Sequence, residues 1–184
     1  ANALSLSNSS ILEVAGEQDL SGVFPDNSTT LRLAANSTID DNASLSVGTL
    51  ELANFALTLN DAMAGLSVAQ TVTLDAAGEQ ILTGAANLSL NGGIIVDAGT
   101  LSSTGGLVSA SSLSADGTGV LDFQGGTLSI PNGATLASGA SFSTSNTTLN
   151  LGGSLTVADT WTSSTNTSIS LTTDNASLSS TVLL

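Results

Sequence analysis

The chain has 184 residues and a formal net charge of −14 at pH 7, with Arg32 as its one cation and no lysine, histidine or cysteine. Nucleic acids and anionic membrane surfaces are both recognised through Lys and Arg, so neither is expected as a partner. The missing residue types exclude Ser-His-Asp and Cys-His triads, Schiff-base and P-loop chemistry, thiolate metal sites and disulfides.

Hydrophobic residues make up 41% of the chain, aromatics 3% and charged residues 9%. An ordinary globular domain carries about 25% charged residues. Here Ser, Thr, Asn and Gly fill the polar positions, which suits turns and strand faces and disfavours helix interiors. Such a composition fits an exported bacterial or archaeal surface protein. No apolar run approaches the roughly 18 residues of a membrane helix, so membrane insertion is not expected. Any export signal is expected to lie outside this sequence.

Residues 1–44 alternate apolar and polar residues less regularly than the rest. Leu4/Leu6, Ile11/Leu12/Val14, Val23/Phe24, Leu31/Leu33 and Ile39 can be arranged as two coils. Gly16-Glu17-Gln18-Asp19 and Pro25-Asp26-Asn27 are then the corners, with Glu13 and Arg32 pointing outward. A polysaccharide lyase on such a fold needs a basic residue, and Arg32 is the lone candidate; an exposed strand face accounts for it more simply. Asp40-Asp41 is the one adjacent acidic pair, and two carboxylates suffice for glycoside hydrolysis. It sits in a turn-like stretch with no aromatic sugar platform nearby, so no catalytic residues are assigned.

From residue 45 to residue 178 three apolar tracks share one period. The first is Leu45/Val47, Leu66/Val68, Leu88/Leu90, Leu107/Val108, Leu128/Ile130, Leu149/Leu151 and Ile169/Leu171, with starts 21, 22, 19, 21, 21 and 20 residues apart. The second runs through Leu50/Leu52, Val72/Leu74, Ile94/Val96, Leu113, Leu136, Leu155/Val157 and Leu178. The third runs through Leu57/Leu59, Ile81/Leu82, Leu101, Leu121/Phe123, Phe142 and Trp161, with the sole tryptophan facing inward. Leu-x-Leu pairs read as short half-buried strands, and Asn91-Gly92-Gly93, Pro131-Asn132-Gly133 and Gly152-Gly153 read as corners between them. Helix-friendly content is confined to residues 51–70, where a short helical corner over 60–64 is the most that the period-2 spacing allows.

These signals predict an all-β fold, one domain over residues 1–184, in the form of a three-sided parallel β-helix. About nine coils of roughly 21 residues are expected. At about 4.8 Å per coil the rod is roughly 40 Å long. The pattern runs to both ends without a polar or helical cap. Either a longer rod or end-to-end stacking of identical subunits is therefore expected, and the expected partner is the chain itself or flanking coils.

Asp75, Asp97, Asp116 and Asp159 each follow a second-track strand and are expected at one corner, one per coil. Asx-type turns explain them most simply. Calcium between coils is the alternative, since hard cations favour stacked oxygens, although no GGxGxD nonapeptide is present. No other cofactor is expected. Asn-x-Ser/Thr sequons lie at Asn8, Asn27, Asn36, Asn42, Asn87, Asn146, Asn166 and Asn175 and are candidate glycosylation sites. The pairs Thr71/Thr73 and Thr160/Thr162 hint at an ice-binding face but form no regular ladder.

The Leu-x-Leu, Asn-Gly or Gly-Gly corner, Leu-x-Val grammar of residues 88–96, 128–136 and 149–157 resembles the right-handed β-helical shafts of filamentous-haemagglutinin-type adhesins and autotransporter passengers. That resemblance covers most of the chain. It implies a right-handed coil, a location outside the cell or on its surface, and a structural or adhesive role, with a host or surface glycan as a partner. A non-enzymatic shaft or repeating subunit of a surface filament, sheath or adhesin is the leading expectation. A carbohydrate-binding or carbohydrate-hydrolysing β-helix using carboxylates is the rival, and ice binding a third.

Overall fold

A computed structural model describes residues 4–20, 23–40, 44–60, 65–159, 161–164 and 166–180. They form short strands with no α-helix, paired in parallel into three long sheets. Asp41, Asn42, residues 61–64 and Thr160 lie outside the described residues, and with them the helical corner expected over 60–64.

Sheet 1 stacks Ser44–Val47, Gly65–Val68, Asn87–Leu90, Leu107–Ala110, Thr127–Ile130, Thr148–Leu151 and Ser168–Leu171. Sheet 2 stacks Val72–Leu74, Ile94–Val96, Leu113–Ala115, Ala134–Leu136, Leu155–Val157 and Leu178–Ser180. Sheet 3 runs from Ile11–Asp19 and Thr30–Asp40 through Ala56–Leu59, Gln80–Thr83, Thr100–Ser103, Val120–Phe123 and Ser141–Thr144 to Trp161–Ser163. The chain visits sheets 1, 2 and 3 in turn, so it is a β-solenoid with three sides.

Register converts the apolar tracks into columns. On sheet 1, Leu45, Leu66, Leu88, Val108, Leu128 and Leu149 lie one above the next. On sheet 3, Leu57, Ile81, Leu101, Leu121, Phe142 and Trp161 do the same. All are buried in one continuous core. Each Leu, Ile or Val so buried contributes about 1.5–3 kcal/mol. The aromatic end of the sheet 3 column is tightly matched. Phe123 meets Phe142 edge-on at 6.4 Å, and Phe142 stacks on Trp161 at 5.4 Å. The Trp161 indole N–H donates to Thr144 Oγ1 at 3.0 Å, so its one polar group is satisfied inside.

Four details differ from the sequence reading. Sheet 3 is eight strands deep rather than nine, because residues 168–180 supply strands to sheets 1 and 2 and no described strand to sheet 3. Gly16-Glu17-Gln18-Asp19 is not a corner between strands. It continues the strand Ile11–Asp19, which bends through a register shift between Val14 and Gly16, with Gly16 at φ 74°. In the Leu107–Ala110 strand the inward pair is Val108 and Ala110, while Leu107 faces out at 39% exposure. In Gln80–Thr83 the inward pair is Ile81 and Thr83, not Ile81 and Leu82.

The expected corner at Pro25-Asp26-Asn27 is present. Thr29 N–H closes it onto the Asp26 carbonyl at 2.9 Å. The Asp26 carboxylate accepts the Ser28 hydroxyl at 2.6 Å and the Ser28 N–H at 2.9 Å. Those bonds favour the ionised form and hold Asp26 below the ordinary carboxyl value of 3.8. A depressed folded value stabilises above pH 3.8 and stops doing so as pH falls through the lower folded value. Urea titrations on either side of that pH are therefore expected to show Asp26→Asn destabilised at neutral pH. The gap to the parent chain closes in acid; a gap that stays constant contradicts the assignment.

Candidate functional site

Alternation that sends Leu and Val inward sends the intervening residues outward, and on sheet 1 those residues are nearly uniform. Ser46, Ser67, Ser89, Ser109, Ser129, Asn150 and Ser170 are register partners in seven successive strands. The neighbouring outward column of sheet 2 reads Thr73, Ile95, Ser114, Thr135, Thr156 and Ser179. Hydroxyls therefore repeat every strand spacing, about 4.8 Å, along two adjoining faces. A shallow trough of about 610 Å³ runs over sheet 2 and the corner beside it. Thr71, Ser112, Ser114, Thr135, Ser154 and Thr156 supply its hydroxyls, and no charged residue lines it.

The two Thr-x-Thr pairs do not share this face. Thr71 and Thr73 border sheet 2, with Thr71 Oγ1 donating to the Gly92 carbonyl at 2.7 Å, whereas Thr162 is on sheet 3. What the sequence reading missed is the serine column. Its members sit 19 to 22 residues apart and come into line only once the corners of unequal length are folded away.

The acidic residues lie elsewhere. Backbone N–H groups of Asp97 and Asp116 donate to Leu74 and Val96 of the turns below, at 2.9 and 3.1 Å, which stacks Asp75, Asp97 and Asp116 at the corner after sheet 2. Ala137 and Ala158 continue that column. Asp159 falls one residue past it, and its carboxylate accepts the Gly139 N–H at 3.1 Å. Asp116 accepts the Gly117 N–H at 2.6 Å. Among the described residues, no group of three or more His, Cys, Asp or Glu is arranged to hold a metal ion.

Glu79 is a functional carboxylate of the fold that pattern reading overlooked. It is buried at the same corner, accepting the Asp75 N–H at 2.9 Å and the Asn54 N–H at 3.3 Å, and so ties two turns together. The Arg32 guanidinium lies between Glu13 and Glu51 on adjacent strands and donates to Glu51 at 2.6 Å. That hydrogen bond and the charge of Glu51 raise the Arg32 pKa. The only cation is thus used within the outer surface of sheet 3.

Of the sequons, Asn8, Asn27, Asn36, Asn87, Asn146, Asn166 and Asn175 are exposed, and Asn42 lies outside the described residues. Asn36 and Asn87 use Oδ1 to accept the backbone N–H of Ala56 and Leu107 in the next turn, at 2.9 and 3.1 Å. Asn146 and Asn166 sit at corners with φ of 51° and 62° and bond to each other at 3.2 Å. Asp41 of the Asp40-Asp41 pair lies outside the described residues; Asp40 ends the strand Thr30–Asp40. Comparison with protein-family models, with curated proteins and with solved structures returned no match.

Proposed function

We propose that the chain is a non-enzymatic structural module, the shaft or repeating subunit of a bacterial or archaeal surface filament, sheath or adhesin. The observation that carries this reading is the in-register stack itself. Aliphatic columns run the length of the core, and the outward positions of two of the three faces are almost wholly Ser, Thr and Asn. Such a surface is soluble, offers proteases few cationic cleavage sites and spaces its ends rigidly. The resemblance of residues 88–96, 128–136 and 149–157 to filamentous-haemagglutinin-type and autotransporter shafts supports the same role and an extracellular location. On this reading no cofactor is needed, and the partners along the axis are further coils of the same kind.

Immunogold electron microscopy of intact cells that make the protein tests it. Antibody raised to the purified chain is expected to label filaments or a layer at the cell surface. Label confined to the cell interior overturns the reading.

A further inference from the structure

Charge on this rod is segregated by face. Between residues 65 and 171 the ionisable side chains are Asp75, Glu79, Asp97, Asp116, Asp122 and Asp159. Asp122 faces outward on sheet 3, and the other five follow sheet 2 at the corner that leads to sheet 3. Neither sheet 1, nor sheet 2, nor the corner joining them carries an ionisable group in this span. A chain of net charge −14 thus leaves one side neutral, although an outward strand position accepts a carboxylate, as Asp122 shows.

We infer that the serine face of sheet 1 is a lateral contact between two copies of this chain. The inference rests on the structural reading above and deepens it by naming how rods meet. Two copies with this charge repel at every approach that brings their carboxylates together. Back-to-back contact through sheet 1 keeps the charged surfaces across the core from the interface. A single sheet-to-sheet distance, about 10 Å, already exceeds the screening length of about 8 Å at physiological salt.

The face is also shaped for a copy of itself. Ser109 is the middle member of the seven-strand serine column. A twofold axis there sets Ser89 against Ser129 and Ser67 against Asn150, an isologous pairing. Small side chains let the two backbones approach closely, and Leu107, exposed on the same strand, is the apolar knob beside the axis. Seven strands of four residues give a planar footprint of roughly 29 Å by 13 Å, so one module pairs weakly. Contact area grows with each added turn, and a filament sums it.

Sedimentation velocity over a concentration series tests the inference. The parent chain is expected to pass from monomer to dimer. Ser109→Asp places two carboxylates across the axis and is expected to raise the dimer dissociation constant more than about tenfold. Thr58→Asp, the same charge change on sheet 3, is expected to leave it unchanged. As the chain has no cysteine, Ser109→Cys is expected to oxidise to a disulfide-linked dimer and Thr58→Cys to stay monomeric, whether or not Ser109→Asp folds. A parent chain that stays monomeric throughout, or dimerisation equally sensitive at both positions, overturns the inference. So does cross-linking that does not distinguish the two cysteines. Should lateral pairing fail while surface label persists, the structural module stands and only this contact is lost.

Discussion

Leu88→Asp is expected to abolish the folded rod, whereas Ser89→Asp, one residue along the same strand, leaves it intact. Leu88 is fully buried between Leu66 and Val108, and Ser89 lies between Ser67 and Ser109 on the outer face. Losing the leucine side chain costs about 2–5 kcal/mol through transfer and cavity terms. An aspartate in its place must either bury an unpaired charge, at several kcal/mol, or take up a proton and remain a polar group without a partner. A folded domain has only about 5–15 kcal/mol in hand. At Ser89 the carboxylate stays in water beside uncharged neighbours, so the change is within about 0.5 kcal/mol. Far-UV circular dichroism and urea unfolding separate the outcomes. Similar losses for both variants contradict the assignment of inward and outward sides.

The second large effect concerns the corners, where successive turns touch backbone to backbone. Gly106 has φ 69°, and a Cβ there would overlap the Ala86 carbonyl of the turn below. Gly126, in the turn above, is in the same position relative to Gly106. Gly16 has a similar φ of 74° at its bulge, but a Cβ there meets nothing within 4 Å. Alanine at either site bears the left-handed backbone cost of about 1–2 kcal/mol. At Gly106 it must in addition push a neighbouring turn aside, so Gly106→Ala is expected to lose about 3 kcal/mol or more and Gly16→Ala about 1. Equal losses would mean that backbone angle, rather than the spacing of stacked corners, governs these glycines.

The architecture was legible because its cause is periodic. Three apolar tracks in one phase have few other solutions than aligned columns on three sides, and Leu66, Leu88 and Leu128 do share one wall. Finer assignments failed where a rule local to a few residues was outweighed by register. Leu107 is more apolar than Ala110, yet Val108 must lie on Leu88, and strand alternation then sends Leu107 outward. Thr83 and Ser103 face inward because they stack in the column below Phe123, and both donate their hydroxyls to backbone carbonyls, at 3.4 Å to Ser102 and 2.6 Å to Gly105. A bulge at Gly16 carries the chain around a corner without ending the strand, which composition alone cannot distinguish from a turn. The serine ladder and the neutral side of the rod were hidden for a related reason. Serines between apolar residues look like any solvent-facing filler until corners of different length are removed.

The absence of cysteine makes the ladder itself the most direct gauge of the account. Spin labels on cysteine pairs replacing Ser46 and Ser129, Ser67 and Ser170, or Ser46 and Ser170 span four, five and six turns by register. Pulsed dipolar spectroscopy is expected to give three defined distances near 19, 24 and 29 Å, rising by about 4.8 Å per turn. Distances that fail to rise with turn number, or distributions without a peak, contradict the coiled stack and the scaffold built on it.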